Sequence, residues 1–308
     1  MIGRRLLKLS KKPMKDLSII ILNYNTKDLL LDCLRSVIQA TKNQYHYQLI
    51  VVDNASTDGS AAAVRQFSQL KLIQSKKNLG FAAGNNLAIP YLQGRYALFL
   101  NPDTVVFPDT FTTMIAFMNR QPAVGVATCR VELADGRLDE GCHRGFPTPW
   151  NAFCHFSGLE AIFPHAKLLA GYTLGHLPLT TVHPIDACSG SFFLIRCELG
   201  QKLGWWDQDY FWYGEDLDFC YRVRQAGEQV YFVPTTKIIH YKGVASGIKK
   251  HSRAISTASK QTRQKALADS VKVMRIFYQK HYRNKYPAWI NWLTMRGIDL
   301  LGMLRRSY

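Results

Sequence analysis

The sequence has no uninterrupted apolar run of about 18 residues, which argues against a standard transmembrane helix. Its seven cysteines include no C-x-x-C pair and no metal-ligand spacing, so they read as reduced, mostly buried thiols of a cytoplasmic protein rather than a disulfide framework or a zinc site. The start of the chain is basic but has only the apolar fragments Leu6-Leu7 and Leu9 and no small-residue cleavage site, so it is not a secretory signal. No internal repeat or low-complexity tract is present, which argues against a solenoid. What is present is 308 residues with 47% hydrophobic and 12% aromatic content, enough for one large α/β domain or two modest ones.

The formal charge of +17 is unevenly distributed. Residues 1–15 carry six basic residues and no acid, and residues 241–308 carry 15 basic and 2 acidic residues. Between them, 18 basic face 20 acidic residues. A near-neutral body with basic ends points to terminal segments that meet an anionic surface, lipid or nucleic acid, and not to a basic groove through the fold.

The first half alternates short β-branched runs with helical spacing. Strands are expected at 17–22, 48–53, 70–74 and 96–100, with helices at 28–40, 60–67 and from Asn78 to about Leu92. Such alternation implies a mostly parallel sheet with right-handed crossovers, whose ligands sit beyond the carboxyl ends of the strands. Each of these strands ends in or leads to polar residues: Asn23-Tyr24-Asn25, Asp53-Asn54, Asn78 and Asn101-Pro102-Asp103. Residues 122–184 are less regular, with a strand near 124–131, and suit a region facing an acceptor. Regularity returns with strands at 191–196 and 229–233, a helix at 215–226 between them, and a strand at 237–239.

Individually these segments have two readings. Asp53 could accept a hydrogen bond from a pyrimidine imide, or open an Asx turn. Pro102 holds its neighbours extended, which presents Asp103 rigidly as a hard oxygen ligand or places it in an ordinary exposed turn. Glu215, Asp216 and Asp218 suit a helix's first turn, yet three carboxylates in four residues beside Tyr210, Phe211, Trp212 and Tyr213 repel one another unless a cation or a substrate hydroxyl intervenes. His240, at a strand end, is a structural histidine or a nitrogen ligand for the same metal as Asp103.

In order along residues 17–243, the segments Ile19-Ile20-Ile21-Leu22-Asn23-Tyr24-Asn25, Val51-Val52-Asp53-Asn54-Ala55-Ser56-Thr57-Asp58-Gly59-Ser60, Asn78-Leu79-Gly80-Phe81-Ala82-Ala83-Gly84-Asn85-Asn86, Leu100-Asn101-Pro102-Asp103, Ser189-Gly190-Ser191 and Glu215-Asp216-Leu217-Asp218 resemble the family 2 glycosyltransferases, and among them the bacterial rhamnosyltransferase-like members. The resemblance implies a GT-A fold: an α/β, Rossmann-like mixed, mostly parallel sheet flanked by helices. It also implies an inverting enzyme that takes a sugar from a dTDP- or UDP-linked donor to a glycan or polyprenyl-linked acceptor in cell-surface polysaccharide synthesis. By resemblance, Asn23, Tyr24, Asn25, Asp53 and Asn54 hold the base and ribose, and Asn78, Gly80, Asn85 and Asn101 line the donor pocket. Asp103 and His240 hold Mg²⁺ or Mn²⁺ at the diphosphate, and Asp216 is the catalytic base, flanked by Glu215 and Asp218. One departure is plain: the family's usual Asp-x-Asp has Asn101 at its first position. Two rival readings lack their own motifs here. A sugar-nucleotide pyrophosphorylase has a Gly-rich, Arg-containing loop after its first strand, where this chain has Asn23-Tyr24-Asn25-Thr26. A nucleic-acid binder needs its cations on one face of the fold, and here they lie at the ends.

The chain thus divides into a basic segment 1–16, a glycosyltransferase domain 17–243 and a basic amphipathic helical tail 244–308. In the tail, residues 259–282 place Leu267, Val271, Met274 and Tyr278 on one helical face. Residues 287–304 bring Trp289, Trp292, Leu293, Ile298, Leu300, Leu301 and Leu304, interrupted by Arg296 and Asp299 and closed by Arg305-Arg306. That pattern suits a helix lying in the headgroup region of the inner face of the cell membrane, or one packed on the protein's own core. On the first view, deleting residues 285–308 releases the protein from anionic liposomes in a co-sedimentation assay; undiminished binding would refute it.

Overall fold

The computed structural model describes residues 15–42, 46–241 and 260–306. Most of the basic segment 1–16, and residues 242–259 at the start of the expected tail, lie outside the described residues.

The chain runs β1 (Lys15–Asn23), α1 (Lys27–Thr41), β2 (Tyr47–Asp53), α2 (Ser60–Ala63), β3 (Leu70–Gln74), α3 (Gly80–Asn86), β4 (Gly94–Leu100), β5 (Thr104–Val106), α4 (Thr110–Arg120) and β6 (Val124–Leu133). It continues through α5 (Pro149–Ser157), α6 (Leu159–Ile162), β7 (His183–Ile185), β8 (Phe192–Arg196), α7 (Cys197–Leu203), α8 (Glu215–Gln225), β9 (Gln229–His240), α9 (Lys260–His281) and α10 (Ala288–Arg306). The sheet has nine strands in the order β3-β2-β1-β4-β8-β6-β9-β5, with β7 also on β9. β1 to β4, β6 and β9 point one way, and β5, β7 and β8 run against them. The sheet is thus mixed but mostly parallel, and its parallel strands share one rim at their carboxyl ends.

Central strands read as continuous apolar runs because helices cover both faces of the sheet. Ile19, Ile20 and Ile21 are successive residues of β1, and all three are fully buried. In α1, Leu30, Cys33, Leu34 and Val37 are buried at helical spacing. All seven cysteines are free and buried.

Three expected elements differ in extent. The helix expected at 60–67 ends at Ala63 and tightens into a 3₁₀ turn over Val64–Gln66, a segment on which only Ser60 and Val64 are buried. The helix expected to reach Leu92 stops at Asn86, and Ile89–Tyr91 forms a 3₁₀ turn around Pro90, whose ring nitrogen cannot donate to a preceding turn. The strands expected at 229–233 and 237–239 are one strand, β9. Its register with β6 jumps from Cys129↔Val233 to Arg130↔Lys237, so Pro234, Thr235 and Thr236 are accommodated as a bulge where no ladder donor is needed from proline.

Trp206 is 1% exposed and sits where four elements meet. Its ring lies 5.6 Å from Phe81 in α3, 4.9 Å from Phe99 in β4, 4.9 Å from Phe193 in β8 and 5.1 Å from Phe219 in α8, mostly in edge-on or tilted contact.

α9 does not stand apart from the body. Val273, Phe277, Tyr278 and Tyr282 belong to the main core, and Tyr221 of α8 packs on Phe277 and Tyr282. The face expected to carry Val271 and Tyr278 meets α10: Gly302 lies against Val271, Tyr278 donates to Asn291, and Arg275 pairs with Asp299. α10 buries Ile298 and leaves Trp289, Trp292, Leu293, Leu300, Met303 and Leu304 exposed. Among the described residues no helix is long and apolar enough to cross a membrane. Replacing Trp206 with alanine empties the four-way junction and is expected to cost about 3–5 kcal/mol in urea denaturation, with Trp206→Phe recovering a large part.

Candidate active site

The parallel register places Asn23 beside Asp53 at the ends of β1 and β2. Asn23 Nδ2 donates to Asp53 Oδ1 at 3.1 Å and to Ser56 Oγ at 3.0 Å, and the Asn25 backbone N–H also reaches Ser56 Oγ at 3.0 Å. The second Asp53 oxygen accepts the Ser56 N–H at 3.2 Å. Asn25 (φ 54°) and Ala55 (φ 66°) are both left-handed, a strained backbone that tight loops at binding sites often store. Tyr24 is half-buried in the bend between β1 and α1.

Asn54 extends this network toward β3 and α3. Its Nδ2 donates to Asn78 Oδ1 at 3.0 Å and to the Gly80 carbonyl at 3.1 Å, while its Oδ1 accepts the Leu79 N–H at 2.9 Å. Gly80 has φ +79°, and a Cβ there would lie 2.3 Å from the Phe211 carbonyl oxygen. No other residue fits, because that carbonyl accepts the Phe81 N–H at 2.8 Å. Asn85 is buried and uses its amide within α3, on the Phe81 carbonyl at 3.1 Å.

A second cluster forms where β4 ends and β9 ends. β5 pairs Thr104 with His240, which brings Asp103 and Asn101 onto the imidazole. His240 Nε2 is 3.1 Å from Asp103 Oδ1 and 3.3 Å from Asn101 Nδ2, and Nδ1 is 2.9 Å from Asp139 Oδ2. Burial pushes the imidazole toward its neutral form, but the two carboxylates outweigh it and raise its pKa to about 9. Without a metal, His240 is therefore an imidazolium between Asp103 and Asp139.

The residues present fit a divalent ion. Two ligands on adjacent corners of an octahedron with ~2.1 Å bonds are ~3 Å apart, and Asp103 Oδ1 and His240 Nε2 are 3.1 Å apart. Asp139 on the far nitrogen is the outer carboxylate that orients a ligating histidine. Among the described residues no group of three or more His, Cys, Asp or Glu side chains is placed to hold a metal ion by itself. Binding it requires His240 to give up its proton.

The third cluster opens α8. Tyr213 (φ 69°) and Gly214 (φ 84°) are both left-handed and turn the chain into the helix. Its three first-turn carboxylates differ in environment. Asp216 accepts Arg144 Nη2 on Oδ2 at 2.5 Å and the Leu217 N–H on Oδ1 at 2.7 Å. Arg144 is itself buried; burial opposes its charge, and Asp216 more than restores it. Asp218 accepts Arg222 Nε at 2.7 Å and pairs with His281 Nε2 of α9 at 2.8 Å, which together outweigh its burial and hold its pKa below the ordinary value. Glu215 has no cation. Its Oε2 is buried without a partner, and burial, then the neighbouring Asp216, push its pKa to about 8.

Asp139, Arg144, Ser56 and His281 are the site residues that sequence reasoning missed. Ser56 lay inside a quoted motif. Asp139 and Arg144 fall in the stretch of weak periodicity, where nothing local marks them, and His281 sits in a helix assigned to a separate tail.

A mostly parallel α/β sheet with a polar, carboxylate-rich rim is the class of architecture that binds ligands beyond the carboxyl ends of its strands. The chain belongs to glycosyl transferase family 2: the model of that family matches residues 18–173, and that of glycosyl transferase family group 2 matches residues 96–306. It is 27% identical to the rhamnosyltransferase WbbL of Escherichia coli strain K12 over 233 residues, covering 72% of this chain and 82% of that protein. It is 25% identical to the N-acetylglucosaminyl-diphospho-decaprenol L-rhamnosyltransferase of Mycobacterium tuberculosis over 243 residues, covering 75% of this chain and 78% of that protein. It is thus a rhamnosyltransferase-like member of that family. A mannosyltransferase from Pyrobaculum calidifontis in complex with GDP-Man and Mn²⁺ shares the fold, with a TM-score of 0.55 at 16% identity over 97% of this chain and 88% of that chain. GalNAc-T7 with UDP, GalNAc and Mn²⁺ aligns with a TM-score of 0.57 at 14% identity over 86% of this chain, which spans about half, 52%, of that chain.

Because the folded protein holds the Glu215 proton more tightly than the unfolded chain, its contribution to stability is complete below pH 4.5 and is lost as pH rises to about 8. Glu215→Gln is expected to flatten that part of the pH–stability curve measured by urea titration; a curve parallel to wild type would show that Glu215 is ionised throughout.

Proposed function

We propose that this protein is an inverting glycosyltransferase that moves a sugar, from dTDP-rhamnose or a UDP-linked donor, to a hydroxyl of a glycan or polyprenyl-linked acceptor in cell-surface polysaccharide synthesis. The observation that carries this is Asp216, a carboxylate fixed by Arg144 and the Leu217 N–H at the head of α8. A helix that feeds a parallel strand begins at the rim where such strands end, so α8 brings Asp216 to the rim that holds Asn23, Asp53, Asp103 and His240.

The roles divide by cluster. Asn23, Asn25, Asp53 and Ser56 receive the base and ribose, and Asn54, Asn78 and Gly80 shape the loop above the donor. Asp103 and His240 would hold Mg²⁺ or Mn²⁺, which when bound offsets charge on the departing diphosphate. Asp216 takes the proton of the acceptor hydroxyl as that oxygen attacks the anomeric carbon from the face opposite the diphosphate. One displacement inverts the configuration. Arg144 holds Asp216 in place, and each Asp216 oxygen retains a lone pair for the incoming hydroxyl. Glu215 stands behind Asp216 as a neutral carboxyl at neutral pH, and Asp218 anchors α8 to α9 through His281.

The acceptor is lipid-borne in this proposal, and the exposed apolar side of α10, flanked by Arg296 and Arg305, rests in the headgroup region of an anionic membrane. The enzyme is accordingly cytoplasmic and peripheral on the inner face of the cell membrane.

Asp216→Asn keeps the shape but removes the base. It is expected to lower transfer by roughly 10²–10⁴-fold with dTDP and UDP binding nearly intact, and retained turnover removes Asp216 from this role. In calorimetric titrations of dTDP and UDP with and without Mn²⁺, Asp103→Ala is expected to abolish the gain in affinity that Mn²⁺ confers; an undiminished gain places the ion elsewhere.

A further inference from the structure

The large apolar side chains that the fold leaves exposed are not scattered. Of the fifteen such residues among those described, six lie on α10 and six others fall between 150 and 168: Trp150, Phe153, Phe156, Ile162, Phe163 and Leu168. We propose that this α5–α6 face is a second membrane-seating surface, which docks on an anionic bilayer beside the catalytic base.

α5 is amphipathic in the inverted sense. Trp150, Phe153 and Phe156 recur every third residue and face out, while Cys154 alone is buried. Leu168 is 71% exposed and Ile162 66% exposed, more than Trp289 of α10 at 64%. An apolar patch of this size on a water-soluble surface marks an interaction site.

The patch is held rigid from beneath. Glu160 is buried and accepts the Thr173 N–H at 2.7 Å, the Thr173 hydroxyl at 2.9 Å and the Tyr172 N–H at 3.2 Å, and pairs with His155 Nδ1 at 2.7 Å. Trp150 Nε1 donates to the Leu168 carbonyl at 2.8 Å, which ties the two ends of the patch together. The outward side chains are thus pre-organised.

Charge selects the partner. Between residues 145 and 185 the only acid is Glu160, which is buried and consumed inside, and the one lysine or arginine is Lys167, beside Leu168 of the patch. Anionic headgroups therefore meet no exposed carboxylate of this segment. Apolar insertion next to a lysine is the combination that binds an anionic bilayer interface.

Position gives the surface a purpose. Arg144, which holds Asp216, is five residues before α5, and a chain of ring contacts joins Phe146 to Tyr221 (5.0 Å), Tyr221 to Tyr282 (5.7 Å) and Tyr282 to Tyr286 (5.8 Å), just before α10. This path of rings links the segment before α5 to the segment before α10 through Tyr221 of α8, the helix that carries Asp216. Docking at both would hold Asp216 against the bilayer, where the hydroxyl of a lipid-borne acceptor lies, so this purpose rests on the lipid-linked acceptor proposed above.

The test compares full-length wild type with Phe153→Ser/Leu168→Ser and Trp292→Ser/Leu304→Ser in flotation with phosphatidylcholine vesicles, alone or with roughly a third phosphatidylglycerol. The α5–α6 pair is expected to weaken partitioning to the anionic vesicles about tenfold, with dTDP and UDP binding and the urea midpoint unchanged, and the α10 pair to cause a separate loss. Wild-type flotation of the α5–α6 pair overturns the proposal even when the α10 pair is released. Should the α5–α6 pair instead convert a wild-type dimer to a monomer in sedimentation equilibrium while floating normally, the face belongs to a second copy, which also overturns it. Neither result depends on the transfer assay of Asp216→Asn, so the catalytic proposal stands or falls separately.

Discussion

The close approach of Gly80 to the Phe211 carbonyl is the constraint on which the rest of the site depends. The carbonyl belongs to the strained segment that turns into α8, and it accepts the Phe81 N–H at 2.8 Å. Gly80 is in turn held by Asn54 and Asn78, the residues that extend the network of Asn23 and Asp53. A backbone hydrogen bond therefore ties the loops after β2 and β3 to the segment that leads into the helix carrying Asp216. A Cβ at Gly80 forces those two halves apart, because its nearest neighbour is backbone and not a side chain that can turn aside.

Around that junction, the buried acids are sorted by the cation each receives. Asp103 and Asp139 share His240, Asp216 has Arg144, and Asp218 has Arg222 and His281. Glu215 has none and takes up a proton instead. The repulsion foreseen for three carboxylates in four residues is thus resolved by different means at each one: neutralisation for Glu215, an arginine from the loop after β6 for Asp216, and an anchoring pair for Asp218.

The C-terminal helices serve two neighbours at once. One stripe of α9 enters the core through Val273 and Phe277, and another meets α10, so the boundary expected at residue 243 separates charge rather than packing. His281 and Lys280 reach Asp218 and Asp207 on the segment around α8. The helix pair therefore braces the same segment that the Gly80 contact positions from the other side.

The sequence by itself determined the parallel half of the sheet, its polar strand ends, the helical start of 215–225 and the two C-terminal helices, because apolar periodicity and turn residues act over a few neighbours. Asn23, Asp53, Asp103 and Asp216 were legible for the same reason: each sits at the end of a strand or the head of a helix within a recognisable motif. Tertiary structure alone decided which groups they meet. Asp139 reaches His240 across 101 residues of chain and Arg144 reaches Asp216 across 72, and no local pattern encodes a pairing made only when β6, α8 and β9 pack side by side. It also decided that Val271 and Tyr278 of the α9 stripe meet α10, and that the apolar residues of α5 and α6 face out. Periodicity reports that a helix has an apolar side; the neighbours that pack against it determine whether that side is buried.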